Sequence, residues 1–311
     1  MKKTIEVKEH LVLPLVNTVR HLNFTSEANK LLNKELYISA TRLVKGTREF
    51  ILAQDYPPRY SKETQAYFAL GIQKHLTYQK DIKTLEEYGY LNYRRDLYQH
   101  KEITLKELKV LSLKHKIYGI IDVFKISYDT QNNIYIHIDE LKSSWNKKNI
   151  LQLVFYVLAL TDDTTKLIYE VPFKRKKNKD GTPMKKRIMG YLFPNPEKIN
   201  SININGRVVI LEEEDINYEE IVKNGMFTEQ SSLWLMVIMK RLKYYRQLIR
   251  RKRVDLSAIP HEKNRSCCRG GWGYICQKVN YKPNSKQFFI SRNKIKLLKE
   301  NILIQTKPKV I

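Results

Sequence analysis

Ile117-Tyr-Gly-Ile-Ile-Asp-Val-Phe-Lys-Ile-Ser-Tyr128, followed by Asp129-Thr-Gln-Asn-Asn133 and Ile134-Tyr-Ile-His-Ile-Asp-Glu-Leu-Lys142, is the stretch that decides the fold. The first run is dense in β-branched and aromatic residues, the second supplies turn chemistry, and the third alternates strictly, so together they predict a β-hairpin. Side chains along a strand repeat every two residues, which puts Ile134, Ile136, Ile138, Glu140 and Lys142 on one face. The three isoleucines mark that face as buried. Glu140 and Lys142 thus continue an apolar stripe with charges, and Asp122, between Ile120 and Phe124, has the same problem in the preceding strand. A charge carried into a buried stripe needs compensation. Two carboxylates and a lysine at the end of adjacent strands could bind a divalent metal and hold a water for attack. The plainer alternative is a solvent-exposed strand end with an ordinary Glu/Lys pair.

Working outward, Asn149–Leu160 has apolar residues on most sides, as expected of a helix packed on a sheet. Leu167–Phe173 and Arg187–Phe193 read as further strands. Between them Lys174–Arg187 forms a basic hairpin tip with Asp180-Gly181 as its turn. A long helix is expected from about Ser231 to Arg253, ending in Arg250-Arg-Lys-Arg253. Upstream, residues 63 to 80 read as a helix, residues 104–111 as a charged stretch, and Val12–Leu22 and Ser26–Leu32 as short helix-like patterns. This order points to an α/β fold with a mixed sheet. The expected organisation is an N-terminal helical segment over 1–60, a core over 61–230 carrying the basic hairpin 174–187, and a C-terminal region over 231–311.

The charge balance narrows the partner. With 57 Lys and Arg against 32 Asp and Glu, the 311-residue chain carries a formal net charge of +25. Such an excess repels itself in the compact state and usually serves a polyanion. The bland alternative is a proteome that is Lys-rich throughout. Lys174–Arg187 and Arg250–Arg253 are the expected phosphate contacts, and some of the twenty tyrosines are candidates for stacking on single-stranded bases. The acidic run Glu212-Glu-Glu-Asp215 reads as a solvated loop. The longest apolar run, Leu233 to Met239, is far too short to span a bilayer, and the N-terminus shows no apolar leader. A cytoplasmic protein without a membrane partner is the expectation. No Gly-x4-Gly-Lys-Ser/Thr loop is present, which argues against a helicase, and no recognition helix or RNA-binding signature supports sequence-specific binding.

The string Gly119-Ile-Ile-Asp122, then Asp139-Glu-Leu-Lys142, then Gln152-Leu-Val-Phe-Tyr156, resembles the PD-(D/E)XK nuclease superfamily. Within it the RecB-like branch adds a Gln-x3-Tyr signature on the helix after the Glu-x-Lys strand and an upstream Gly-x3-His, here Gly71-Ile-Gln-Lys-His75. The resemblance covers roughly Tyr37 to Tyr156. It implies a restriction-endonuclease-like core, a central mixed sheet flanked by helices. It also implies that His75, Asp122 and Glu140 ligate Mg2+ or Mn2+, with the Leu141 carbonyl as a further oxygen ligand. Lys142 would polarise the attacking water and stabilise transition-state charge. Gln152 and Tyr156, four apart on one helical face, would touch the DNA strand near the scissile phosphate. Ser143 and Ser144 lie where that family often has small hydroxyl residues.

A looser echo lies at the C-terminus. His261-Glu-Lys-Asn-Arg-Ser-Cys-Cys268-Arg-Gly-Gly-Trp-Gly-Tyr-Ile-Cys276 is similar to the cysteine clasp of CRISPR-associated and RecB-like exonucleases that hold a 4Fe–4S cluster. Cys267 and Cys276 have the outer spacing, but Gly270 takes the middle position, with Cys268 two places early. Gly46 or Thr47 stands where the distant N-terminal cysteine is expected. The chain has three cysteines in all, and cluster ligation is essentially a four-thiolate affair. Three arrangements stay open: a cluster with a non-cysteine fourth ligand, a zinc site in which Cys267, Cys268 and Cys276 recruit His261, or a clasp without metal.

The resemblance thus implies a metal-dependent DNA nuclease, an exonuclease on single-stranded ends or flaps in repair, recombination or CRISPR-related processing, with recombination or CRISPR proteins as candidate partners. The rivals are a catalytically silent nuclease-fold protein that binds DNA or a partner, and a zinc-stapled DNA-binding module.

Overall fold

The computed structural model describes residues 37–45, 49–50, 60–162, 164–177, 181–193, 198–211, 216–250, 253–255 and 289–291. In chain order these form β1 (Ile38–Ser39), α1 (Ala40–Leu43), α2 (Lys62–Tyr78), α3 (Leu85–Tyr88), α4 (Tyr90–Tyr98), β2 (Ile103–Ser112), β3 (Ile117–Tyr128) and β4 (Asn133–Lys142). Then follow α5 (Lys147–Leu160), β5 (Lys166–Lys177), β6 (Pro183–Tyr191), β7 (Ser201–Ile210), β8 (Ile216–Lys223), β9 (Met226–Phe227), α6 (Glu229–Arg250), β10 (Arg253–Asp255) and β11 (Phe289–Ser291). The chain is an α/β protein built on a large mixed sheet with helices. Two compact units are present, one drawn from Met1–Ala40 and Gln73–Met236, the other from Thr41–Ile72 and Val237–Ile311.

In the first unit nine strands form one sheet in the order β6-β5-β2-β3-β4-β7-β8-β9, with β1 added to β3. The β4–β7 and β1–β3 pairs are parallel and the others antiparallel. The quoted hairpin is β3–β4. Asp129 closes its turn, its carboxylate accepting from the Gln131 and Asn133 N–H groups, as an Asx residue does. Ile134, Ile136 and Ile138 are buried as their alternation requires. On α5 every side chain from Leu151 to Leu160 is buried, and the helix starts where Asn146 accepts a hydrogen bond from the Lys148 N–H. Gly119 on β3 lets this helix approach. A Cβ there would sit 2.4 Å from Cε1 of Tyr156, closer than non-bonded atoms tolerate.

Three sequence readings are corrected in this unit. Residues 104–111, read as a charged stretch, belong to β2, a strand at the middle of the sheet whose Leu105, Leu108 and Val110 are buried. Burial between β3 and β5 overrides its Lys- and Glu-rich composition. The strands of the basic hairpin are longer than read and its tip is correspondingly shorter: β5 runs to Lys177 and β6 begins at Pro183. Ile120 is 47% exposed and Ile121 fully buried, so the parity of the inward face changes along β3 near Asp122.

The second unit contains the rest of α6, where Ile238, Leu242, Tyr245 and Leu248 are buried at helical spacing. Phe50 stacks on Tyr245 with centroids 4.0 Å apart. Tyr245 Oη donates to the Lys45 carbonyl at 2.7 Å, and Arg241 Nη1 to that of Leu43 at 3.0 Å. The helix stops at Arg250, and Arg253, expected at its end, opens β10. The expected helices within 1–36, the acidic run 212–215 and the cysteine segment lie outside the described residues. No described helix is long and apolar enough to cross a membrane.

Candidate functional site

The two central strands part where the charges lie. The β3–β4 ladder runs from Tyr128 opposite Ile134 to Val123 opposite Asp139 and stops there. The same edge of β3 is next occupied by β1, at Ile117 and Tyr118. Residues 119–122 therefore face a gap between β1 and β4. Strand ends that separate inside a protein leave backbone groups seeking partners, and Asp122 meets one of them: its Oδ2 accepts from the Leu141 N–H at 2.8 Å. The Asp122 carbonyl accepts from Gln79 Nε2 at 2.7 Å. One helical turn before Gln79, His75 lies close enough for its charge to favour ionised Asp122. Burial is the larger influence and raises the Asp122 pKa, while Lys142 acts with His75 in the other direction.

Glu140 is fully buried. Its Oε1 is ion-paired with Lys142 Nζ, its Oε2 is shut off from solvent, and the Gln152 side chain hydrogen-bonds the carboxyl and favours its ionised form. Burial, reinforced by the negative charge of Asp122, pushes the Glu140 pKa up to about 8 against the pull of Lys142. Desolvation disfavours the Lys142 ammonium, yet Glu140 and Asp122 outweigh it and hold the lysine above its usual pKa. The Lys142 side chain keeps 26% of its surface, so the cation sits at the mouth of the gap. A carboxylate buried this completely carries a substantial desolvation cost, and a cation is a natural complement. Among the described residues no three His, Cys, Asp or Glu side chains form a ready-made metal cage. A hard ion such as Mg2+ does not require one, since it commonly takes one or two carboxylates and completes its shell with water and substrate phosphate. Asp122 and Glu140 are the one or two carboxylates that such an ion takes.

Gln152 and Tyr156 lie beside these carboxylates, but not on an exposed face. Gln152 Nε2 donates to Tyr156 Oη at 2.8 Å, and both residues are buried. Burial, then the charges of Glu140 and Asp122, raises the Tyr156 hydroxyl well above its ordinary pKa. Gln152 also hydrogen-bonds the Glu140 carboxyl, so the structure places this pair beneath the carboxylates, buried against them. Leu141 is buried beside Val123 and Val209. The Ser144 carbonyl accepts from Asn149 Nδ2 at 3.2 Å, which steadies the turn into α5.

A second polar cluster occupies the opposite face of β4. Alternation turns Asp139 away from Glu140. Its carboxylate receives Arg207 Nε at 2.7 Å and Nη2 at 3.3 Å, faces His137 Nε2 at 2.9 Å, and accepts from Tyr78 Oη at 3.4 Å. Burial works to raise its pKa, but His137 and Arg207 together bring it below the usual value. Sequence reasoning missed this cluster because Arg207 comes from β7.

Of the expected phosphate contacts, Lys185 and Arg187 on β6 both reach Glu170, at 4.0 and 3.2 Å, so part of the hairpin's charge is already answered within the protein. His261, Cys267, Cys268 and Cys276 lie outside the described residues.

No family model matches this chain, and no curated protein does. Among solved structures, one titled "Crystal structure of SSO0001" matches over 73% of this chain and 89% of its own, at 14% identity and a TM-score of 0.32. Similarity at that level carries no argument about fold or activity.

Proposed function

We propose that this chain is a metal-dependent DNA nuclease of the RecB-like PD-(D/E)XK type, hydrolysing phosphodiester bonds at single-stranded DNA ends or flaps. The observation that carries the reading is Glu140: a fully buried carboxylate ion-paired with Lys142, beside Asp122 where two strands part. On this reading β3, β4 and α5 form the heart of a restriction-endonuclease-like core. The surplus positive charge of the chain supplies the attraction for the DNA backbone.

Asp122 and Glu140 would hold a Mg2+ or Mn2+ ion, with His75 and the Leu141 carbonyl as further donors. Such an ion contributes charge stabilisation at the phosphoryl oxygens and a more acidic water. Lys142, at the mouth of the gap, orients the attacking water and offsets the charge that builds on the phosphate. The water oxygen forms a bond to phosphorus as the bond from phosphorus to one ester oxygen breaks. The water's proton passes to solvent and the departing oxygen takes one up. Beneath this centre the Gln152–Tyr156 pair and the Leu141 N–H keep the two carboxylates in place.

End-labelled single-stranded DNA incubated with the protein and Mn2+, beside Glu140→Ala and an EDTA control, tests the reading. Metal-dependent degradation that disappears in Glu140→Ala is the expected result. Binding of DNA by both proteins with cutting by neither would replace it with a silent nuclease-fold DNA-binding protein.

A further inference from the structure

Arg94 occupies a place in α4 where the pattern calls for a hydrophobe. The inward side of that helix includes Tyr90, Tyr93, Arg94 and Leu97, the spacing of a face turned to a core. Arg94 retains 8% of its surface. Its Nη2 donates to Tyr98 Oη at 3.3 Å, and its guanidinium carbon lies 5.9 Å from the centre of the Tyr98 ring. Its Nε is shut off from solvent without a hydrogen-bond partner, and among the described residues no carboxylate pairs with it. Asp96 is two positions further on, where a helix turns its side chain elsewhere, and it is held by Tyr88 Oη, Arg95 and Lys101. A tyrosine face and one hydroxyl answer part of a guanidinium's charge, but a cation buried this far calls for an anion.

The surroundings add further unanswered donors. Tyr90 stacks on Tyr169 with ring centres 5.0 Å apart, and both lie close enough to Arg94 for its charge to act on them. Tyr90 spends its hydroxyl on the Tyr191 carbonyl, and Tyr93 its own on that of Leu192. The Tyr169 side chain is equally buried, yet its hydroxyl makes no hydrogen bond among the described residues. Tyr128 Oη is shut off from solvent and also without a partner, and it stands near enough to Tyr98 for the two to interact electrostatically. Tyr98 keeps 39% of its surface and marks the way in. Phenolic O–H and guanidinium N–H groups that lack acceptors share one complement, an oxyanion. The planar guanidinium matches phosphate with two parallel hydrogen bonds, and a net charge of +25 draws phosphates to the surface.

We propose that Arg94 is the floor of an oxyanion site, walled by Tyr98 and Tyr169, that takes a phosphate group, free or carried on a nucleotide. The phosphate oxygens accept from the Arg94 guanidinium and from Tyr169 Oη. The site is built from α4 and β5, which supply none of the strand-end carboxylates, and it does not rest on the nuclease reading.

Titration calorimetry of the full chain with inorganic phosphate, in chloride buffer of fixed ionic strength, tests it, with thymidine 5′-monophosphate as the nucleotide arm. The parent is expected to bind one phosphate per chain and to melt higher in phosphate than in chloride, since a ligand of the native state alone stabilises it. Arg94→Met fills the space without the charge, and Arg94→Lys keeps a charge without the planar fork. Each is expected to weaken phosphate binding at least about tenfold. Arg94→Met is expected to melt no lower than the parent in chloride, because it removes a buried charge that has no counter-ion there. Tyr169→Phe is expected to weaken phosphate binding while leaving the melt in chloride unchanged. Arg94-dependent binding that is tighter for the nucleotide than for phosphate assigns the site to nucleotide phosphate, and equal or weaker binding assigns it to the free anion. A parent that binds neither, or affinity unchanged in a folded Arg94→Met or Arg94→Lys, overturns the proposal.

Discussion

Replacing Glu140 with glutamine keeps its shape and removes its charge, and the structure fixes what that does to stability. In the folded chain the carboxyl titrates at about 8, against an ordinary value of 4.5. The protonated form is therefore the one the fold prefers. Stability from this group is fully present below the unfolded value and is lost as pH rises through the folded one. A shift of that size corresponds to roughly 5 kcal/mol between the two limits. That is an upper bound for the substitution, because Lys142 loses its partner in the same change. Denaturant melts of both proteins in EDTA, from pH 5 to pH 9, should show equal stability within about 1 kcal/mol at pH 5. At pH 9 the variant should lead by about 2–4 kcal/mol. Adding Mn2+ should raise the melting temperature of the parent, since whatever binds only the native state stabilises it by mass action, and leave the variant unchanged. A parent whose stability is flat between pH 5 and pH 9, or a variant less stable at pH 9, would refute the reasoning.

Other substitutions probe the surroundings. Tyr156→Phe removes the acceptor of a buried amide and should cost about 1–3 kcal/mol. Combining it with Gln152→Met should cost clearly less than the two single changes together, as a double-mutant cycle by urea melting would show. Arg207→Ala leaves the buried Asp139 with only His137 and Tyr78 and should cost about 1–3 kcal/mol at neutral pH. Because the Asp139 pKa is lowered in the fold, its contribution exists above the unfolded value and fades as pH falls through the folded one. The deficit should therefore close in acid, and melts near pH 3 compared with pH 7 check it. Gly119→Ala drives a methyl group into the Tyr156 ring and should cost about 1–3 kcal/mol by the same assay; no loss would mean that the helix can back away from the sheet.

What the sequence made legible follows from signal strength. The β3–β4 hairpin announced itself by strict alternation around an Asx turn, α2 by helical spacing, and α5 by apolar residues on most of its sides. Asp122, Glu140 and Lys142 stood out because charges interrupted an apolar stripe. β2 was hidden for two reasons: Leu, Lys and Glu are helix formers, and its alternation breaks at Glu107, where the backbone reverses its inward face. β7 was not read as a strand although Ile202, Ile204, Val208, Val209 and Ile210 carry strand signal, and its Arg207 pairs with Asp139 across 68 residues, a contact that no local pattern encodes. The Gln152–Tyr156 spacing was plain, but which way that face turned depended on the close approach of α5 to Gly119.

The central claim, that Asp122, Glu140 and Lys142 form a metal-dependent phosphodiesterase centre, is met most directly by single-turnover cleavage of end-labelled single-stranded DNA in Mn2+. The comparison is between the parent and Asp122→Asn, Glu140→Gln and Lys142→Met, each first shown to melt cooperatively and to bind the same DNA. The account predicts cutting by the parent alone, with each variant slowed at least about a hundredfold. Cutting at the parental rate by any folded variant, or the absence of cutting by a parent that binds both Mn2+ and DNA, would contradict it.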